Sequence, residues 1–216
     1  MPKFTSDDYG EGYWERAEGS NYVNYGDDSG WLGILHVINA NHTGKLNIIE
    51  AACSKGYFLR AALLDGHKAL GFDVSEYAIR NAVTKTAMVH DAIEPWPYPS
   101  GSADLVCAWE FLEHIHEENI SLVLEEIDRV LKPGGEMWFK TGIIVPDDHD
   151  FAGQEDHDHT HVNMQTREWW ETLFVEFLGY ERLAHIEDEL DEMFRDRDWK
   201  GRFFVYRKPH ESTKGT

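Results

Sequence analysis

Three acids stand where a carboxylate would meet a sugar. Glu50 closes one apolar run, Asp73 closes a second, and Asp91 follows a third. A carboxylate accepts hydrogen bonds from two hydroxyls at once, and bonds to a charged acceptor are the strong kind. Residues 48–58 read "IIEAACSKGYF": an apolar stretch, an acid, a turn of small residues and a renewed apolar run. That is the pattern of a strand feeding a helix through a loop that receives a nucleotide-like ligand. A dinucleotide loop needs G-x-G-x-x-G, whereas Ala52 and Ser54 stand at the first two glycine positions here and the loop's single glycine, Gly56, is out of that register. The loop suits a nucleoside better than a dinucleotide.

A second cluster is rich in histidine and aspartate. If residues 156–162 are extended, His157, His159 and His161 alternate with other residues and share one face. Three imidazoles so placed would ligate a divalent metal, with Asp147, Asp148 or Asp150 completing the set. A single histidine would serve instead as a proton acceptor, and His161, close to the helix start at Thr166, is the best placed. The plain alternative is a solvated polar loop. His114 in "FLEHI" reads as a satisfied structural histidine, and one of Trp169 and Trp170 as core.

The elements that must hold these residues alternate. Strands are expected at 46–51, 69–73, 87–90, 103–109 and 136–144. Helices are expected at 31–40, 56–64, after Ser75 (a side chain suited to capping), and at 120–131. The last of these shows Ile120, Val123, Leu124, Ile127, Val130 and Leu131 on one face, and Pro133 with "GG" ends it. After the polar loop a helix at 166–178 leads to strands at 180–186 and 202–207. Strands alternating with helices at this spacing mean right-handed crossovers and a mostly parallel sheet covered on both faces. Residues 1–40 read as an aromatic arm with a helical cap, 41–208 as the main domain, and 209–216 as a tail.

The 216 residues carry 40 acidic against 20 basic side chains, a formal charge of −20 with neutral histidine. Such a field repels phosphate backbones and anionic lipid, so nucleic acid and membrane surfaces are disfavoured as partners. Solubility, or a salt-rich habitat, is the plain reading. No run approaches a membrane span, and no signal-peptide pattern opens the chain. Cys53 and Cys107 lie in apolar strand-like segments, which points to a reducing cytoplasm rather than a disulfide scaffold.

Four stretches, "IIEAACSKGYF", "GFDVSEYAIRNA", "VHDAIEPWPYPSGSADLVCAWEFLEHI" and "IDRVLKPGGEMWF", occur in order over residues 46–140. Together they resemble the class I S-adenosylmethionine-dependent methyltransferases, in the branch of small single-domain enzymes. The resemblance implies a Rossmann-like, doubly wound α/β fold of seven strands in order 3-2-1-4-5-7-6, with only strand seven antiparallel. It implies that residues 50–56, including Glu50, Ala52, Ser54 and Gly56, lie under S-adenosylmethionine, and that Asp73 holds the ribose with Val74 beside the adenine. Asp91 would bind the adenine amino group with Ala92 alongside, and Trp109 would line the methionine side. Ala52 and Ser54 depart from the family's glycines, and a methyl at residue 52 disfavours positive φ. An aromatic arm of Tyr13, Trp14, Tyr22, Tyr25 and Trp31 would close over the site. The expected activity is O-methylation of a small molecule: a metabolite, sugar or natural product. The alternatives are a non-catalytic binding protein on this fold, and a metal-dependent enzyme using the His/Asp loop.

Overall fold

The computed structural model describes residues 4–16, 29–144, 158–197 and 199–210. Its centre is a sheet of seven strands: β1 (Asn47–Ala51), β2 (Lys68–Asp73), β3 (Ala87–Val89), β4 (Ala103–Trp109), β5 (Leu131–Lys140), β6 (Glu181–Arg182) and β7 (Phe203–Arg207). The order is β3-β2-β1-β4-β5-β7-β6, and β7 alone runs against its neighbours. The expected topology stands.

The first five strands pair in parallel and read as near-continuous apolar runs, because helices cover both faces. Successive side chains alternate between two cores. Val106, Met137, Phe139 and Phe204 face one side with Trp170 and Phe174. Leu105, Cys107, Trp138 and Phe203 face the other. Each such fully buried side chain is worth roughly 1.5–3 kcal/mol relative to exposure.

Helices α2 (Ser29–Asn41) and α3 (Tyr57–Leu64) cover the second core, and α5 (Ile120–Val130) covers the first. The expected apolar face of α5 is buried. Helix α2 packs against α3 and against a later helix, α7 (Ala184–Met193), so it is a layer of the sheet sandwich and not a separate cap. Ser75 caps α4 (Glu76–Arg80) as expected, its Oγ accepting from Ala78 N at 3.0 Å. A short α1 (Glu11–Glu15) is the ordered part of the arm. No helix among the described residues is long and apolar enough to cross a membrane. Both cysteines are buried free thiols.

Two expectations need correction. The strand at 180–186 shrinks to the two residues of β6, and the chain continues as α7 (Ala184–Met193). Leu183, Ile186, Leu190 and Phe194, in the helix and at its two caps, are buried apolar residues spaced at three to four, which is a helical period. The helix at 166–178 is α6 (Arg167–Glu171), capped by Thr166, running into a wider π-helical turn at Thr172–Phe177.

Candidate functional site

A cavity of about 300 Å³ opens at the carboxyl ends of the parallel strands, where strand order reverses between β1 and β4. Glu50, Ala52, Ser54, Asp73, Val74, Asp91, Ala92 and Trp109 all line it. Gly56 does not. Its φ of +75° places it as the turn before α3, and a Cβ there would meet the Thr84 methyl at 2.8 Å.

The loop after β1 keeps a left-handed backbone without glycine. Ala52 and Ser54 have φ of +53° and +51°. A residue with a Cβ costs roughly 1–2 kcal/mol in that region. What holds it there is a set of backbone bonds: Cys53 N donates to Phe72 O at 2.8 Å, and Ser54 N donates to Asp73 Oδ2 at 2.8 Å. Asp73 Oδ1 accepts from Ser75 N at 2.8 Å, so the acid ties the loops after β1 and β2 together. Burial pushes its carboxyl up to about 6, against the pull of those two N–H groups. Glu50 is buried too, and burial followed by the charge of Asp73 raises it well above the usual carboxylate range. Its Oε2, like Ser54 Oγ, is a buried polar atom with no partner among the described residues. A ligand rich in hydroxyl and ammonium groups would satisfy both, so these residues fit the methyl donor named by the resemblance.

The arm closes the same end. Tyr13 and Trp14 are buried. The Ser75 hydroxyl donates to Tyr9 O at 2.6 Å and accepts from Trp14 Nε1 at 3.1 Å as well as from Ala78 N, which uses its whole capacity. Thus the residue capping α4 also docks the arm over the loop that holds Asp73. Trp31 lines the cavity from α2. Tyr22 and Tyr25 lie outside the described residues.

The opposite end is built by His114, His116, Glu110, Lys140 and Trp199. Residues 158–161 form a turn and are not extended. Asp158 Oδ1 accepts from Thr160 N at 3.0 Å, and His161 N donates to Asp158 O at 3.1 Å. This breaks the expected single face: His159 lies edge-on to Phe4, whereas His161 lies edge-on to His114 with ring centres 4.8 Å apart. His161 stands behind His114 and does not line the cavity. His157, Asp147, Asp148 and Asp150 lie outside the described residues.

Ligand atoms of Glu113, His114 and His161 come within 4.8 Å of one another. Glu113 already accepts a hydrogen bond at each of its carboxylate oxygens. Its Oε2 accepts from Thr141 Oγ1 at 2.8 Å and its Oε1 from Gly142 N at 3.0 Å.

Sequence reasoning missed the pair Glu110–Lys140. The Lys140 ammonium contacts the Glu110 carboxylate and lies 4.4 Å from the centre of the Trp199 ring. Glu110 adopts φ of +51°, the third left-handed non-glycine residue, and its N donates to Lys140 O at 2.7 Å. A charged residue ending an apolar strand, "MWFK", was the available signal for Lys140; nothing in the sequence marks Trp199. Asp158 and Thr160, which touch His114 and Tyr13, were hidden among many acids and hydroxyls. Trp170 is fully buried, as expected for one of the tryptophan pair.

A family model described as a methyltransferase domain matches residues 49–139. The malonyl-[acyl-carrier protein] O-methyltransferase of Erwinia pyrifoliae is 30% identical over 99 residues, a match taking in 44% of this chain and 37% of that protein. The match therefore spans little more than a third of that curated relative's length. Among solved structures, an S-adenosylmethionine-dependent methyltransferase from Archaeoglobus fulgidus superposes with a TM-score of 0.65 at 17% identity, covering 92% of this chain and 97% of that one. A Haloferax volcanii methyltransferase solved with its activator protein gives 0.63 at 20% identity, covering 85% and 92%. At these identities the likeness is one of fold.

Proposed function

We propose that the chain is a class I S-adenosylmethionine-dependent methyltransferase, a reading supported by the methyltransferase-domain match over residues 49–139, and that it methylates an oxygen of a small molecule: a metabolite, a sugar or a natural product. The observation that carries this reading is one cavity with two unlike ends. Glu50, Asp73 and Asp91 come from the carboxyl ends of β1, β2 and β3, and a neutralised pair, Glu110 with Lys140, comes with His114 from the carboxyl ends of β4 and β5.

In this reading Asp73 takes the ribose hydroxyls, Asp91 and Ala92 the adenine edge, Val74 its face, and Glu50, Ala52, Ser54 and Trp109 the methionine side. Gly56 shapes the loop. S-adenosylmethionine, when bound, supplies an already activated methyl group. The protein's own tasks are alignment, exclusion of water and removal of the acceptor's proton. Tyr9, Tyr13 and Trp14 would exclude water from above. O-methylation agrees with what the name of the Erwinia relative says of that protein. The test is incubation with S-adenosylmethionine and panels of hydroxyl, carboxyl and amine acceptors, with mass spectrometry of S-adenosylhomocysteine and product. Turnover confined to amines, or to a protein or nucleic acid acceptor, would overturn the oxygen and small-molecule assignments.

One observation favours a second reading, a protein that binds the nucleoside without turning it over: the loop holds two non-glycine residues at positive φ. Binding of S-adenosylmethionine by calorimetry without S-adenosylhomocysteine formation for any acceptor would select it. For the metal alternative, chelation is expected to leave turnover unchanged.

A further inference from the structure

The protons around His114 can be counted. Thr160 Oγ1 lies 2.6 Å from Asp158 Oδ1 and 2.8 Å from His114 Nδ1. A threonine hydroxyl has one proton to give, and an ionised carboxylate has none. Burial pushes the Asp158 carboxyl up, yet the hydrogen bonds from Thr160 and Tyr13 outweigh it and hold the group below the usual carboxylate range. Asp158 is therefore ionised at neutral pH and takes the Thr160 proton. Oγ1 must then accept from His114, so Nδ1 carries the imidazole proton and Nε2 keeps its lone pair. His114 lines the cavity, and its side-chain hydrogen bond to Thr160 is made through Nδ1.

The other Asp158 oxygen accepts from the Tyr13 hydroxyl at 2.8 Å. The chain Tyr13–Asp158–Thr160–His114 thus joins the arm, the segment after β5 and the segment after β4. It is complete only when the arm is docked.

We infer that His114 is the catalytic base of this site, with Thr160 and Asp158 as positioning residues that set its tautomer. The inference rests on the proposed function and names the proton acceptor for it. The acceptor's oxygen gives its proton to Nε2 and an electron pair to the methyl carbon, while the carbon–sulfur bond breaks with its pair onto sulfur. The imidazolium then returns the proton to solvent. Burial holds His114 below the usual histidine range, with His161 acting in the same direction and Glu113 and Asp158 against it. The ring edge of Tyr9 faces it from the arm. The imidazole is thus neutral, and able to accept, at ordinary pH.

Two measurements on the intact protein test this. Long-range ¹⁵N–¹H spectra, with His114 assigned by its loss in His114→Asn, should show the Nδ1-protonated tautomer at neutral pH. Thr160→Val should let the Nε2-protonated form appear, and Thr160→Ser should restore the parental spectrum. With an acceptor that the parent turns over, His114→Asn should lower turnover roughly 10²–10⁴-fold with S-adenosylmethionine affinity unchanged. The parental rate should fall only on the acid side of ordinary histidine titration. An Nε2-protonated His114 in the parent, or near-parental turnover in His114→Asn, overturns the inference and leaves the methyltransferase reading intact. A parent that forms no S-adenosylhomocysteine with any acceptor overturns that reading, and the role of His114 with it.

Discussion

Around the nucleoside end of the cavity, the acids come from consecutive strand ends between Glu50 and Asp91, each delivered by its own βα unit. Around the other end, Tyr13 and Asp158 meet across a separation of 145 residues, and Thr160 reaches His114 across 46. One end is thus made by the repeating logic of the fold, and the other by segments that the fold happens to bring together. The first should be robust and tuned for binding. The second should be sensitive and tuned for turnover, because it is complete only while the arm and the segment after β5 are both docked.

Paired substitutions should separate these roles. The largest effect belongs to the acceptor end, where His114→Asn should cut turnover by two to four orders of magnitude and spare cofactor affinity. Asp73→Ala should do the reverse, weakening S-adenosylmethionine by about 1–3 kcal/mol in calorimetry, since ribose hydroxyls would lose a charged acceptor. Because burial lifts Asp73 to about 6, cofactor affinity of the parent should also decline as pH falls through that value. If Asp73→Ala lowered turnover at saturating cofactor as much as His114→Asn does, the division between the ends would be broken.

Stability sharpens the contrast. Glu50 is a buried carboxyl whose pKa lies above its unfolded value, so the folded state binds its proton more tightly than the unfolded state does. The folding cost is therefore absent below the unfolded pKa, grows as pH rises, and is complete above the folded pKa. Glu50→Gln should raise the ligand-free protein's thermal midpoint at pH 8, with a gain of about 1–3 kcal/mol by denaturant titration that vanishes near pH 4. A gain equal at both pH values would show that charge burial is not its source. The smallest effect is expected for Ala52→Gly. Relief of left-handed strain exceeds the added freedom of the unfolded chain, for a net stabilisation of about 1 kcal/mol or less. Destabilisation would mean that the Ala52 methyl packs favourably enough to offset its φ.

The nucleoside end was legible because its signals are local. An apolar run ending in an acid, followed by a turn and a helix, states strand direction and strand end together. Glu50, Asp73 and Asp91 were read as strand-end acids on that basis, the resemblance added Ala52, Ser54, Gly56, Val74, Ala92 and Trp109, and all of these but Gly56 line the cavity. The strand expected at 180–186 failed for an equally local reason. Its apolar residues keep helical spacing, but charged side chains between them look like strand alternation over a short window.

The acceptor end was not legible. His161 stood out by neighbouring histidines, yet it packs edge-on against His114 away from the cavity lining, and His114, the residue read as structural, lines the cavity. Residue types and their spacing along the chain determined the strand–helix alternation, the acids at the strand ends and the loop after the first of them, because backbone periodicity is a short-range property; the strand order came from the resemblance of the four motifs. Only the tertiary structure decided which histidines meet the cavity, that Asp158 reaches His114 through Thr160, and that Lys140 is neutralised by Glu110. Those are choices among hydrogen-bond partners dozens of residues apart, set by the packing of the arm and the loops against the finished sheet.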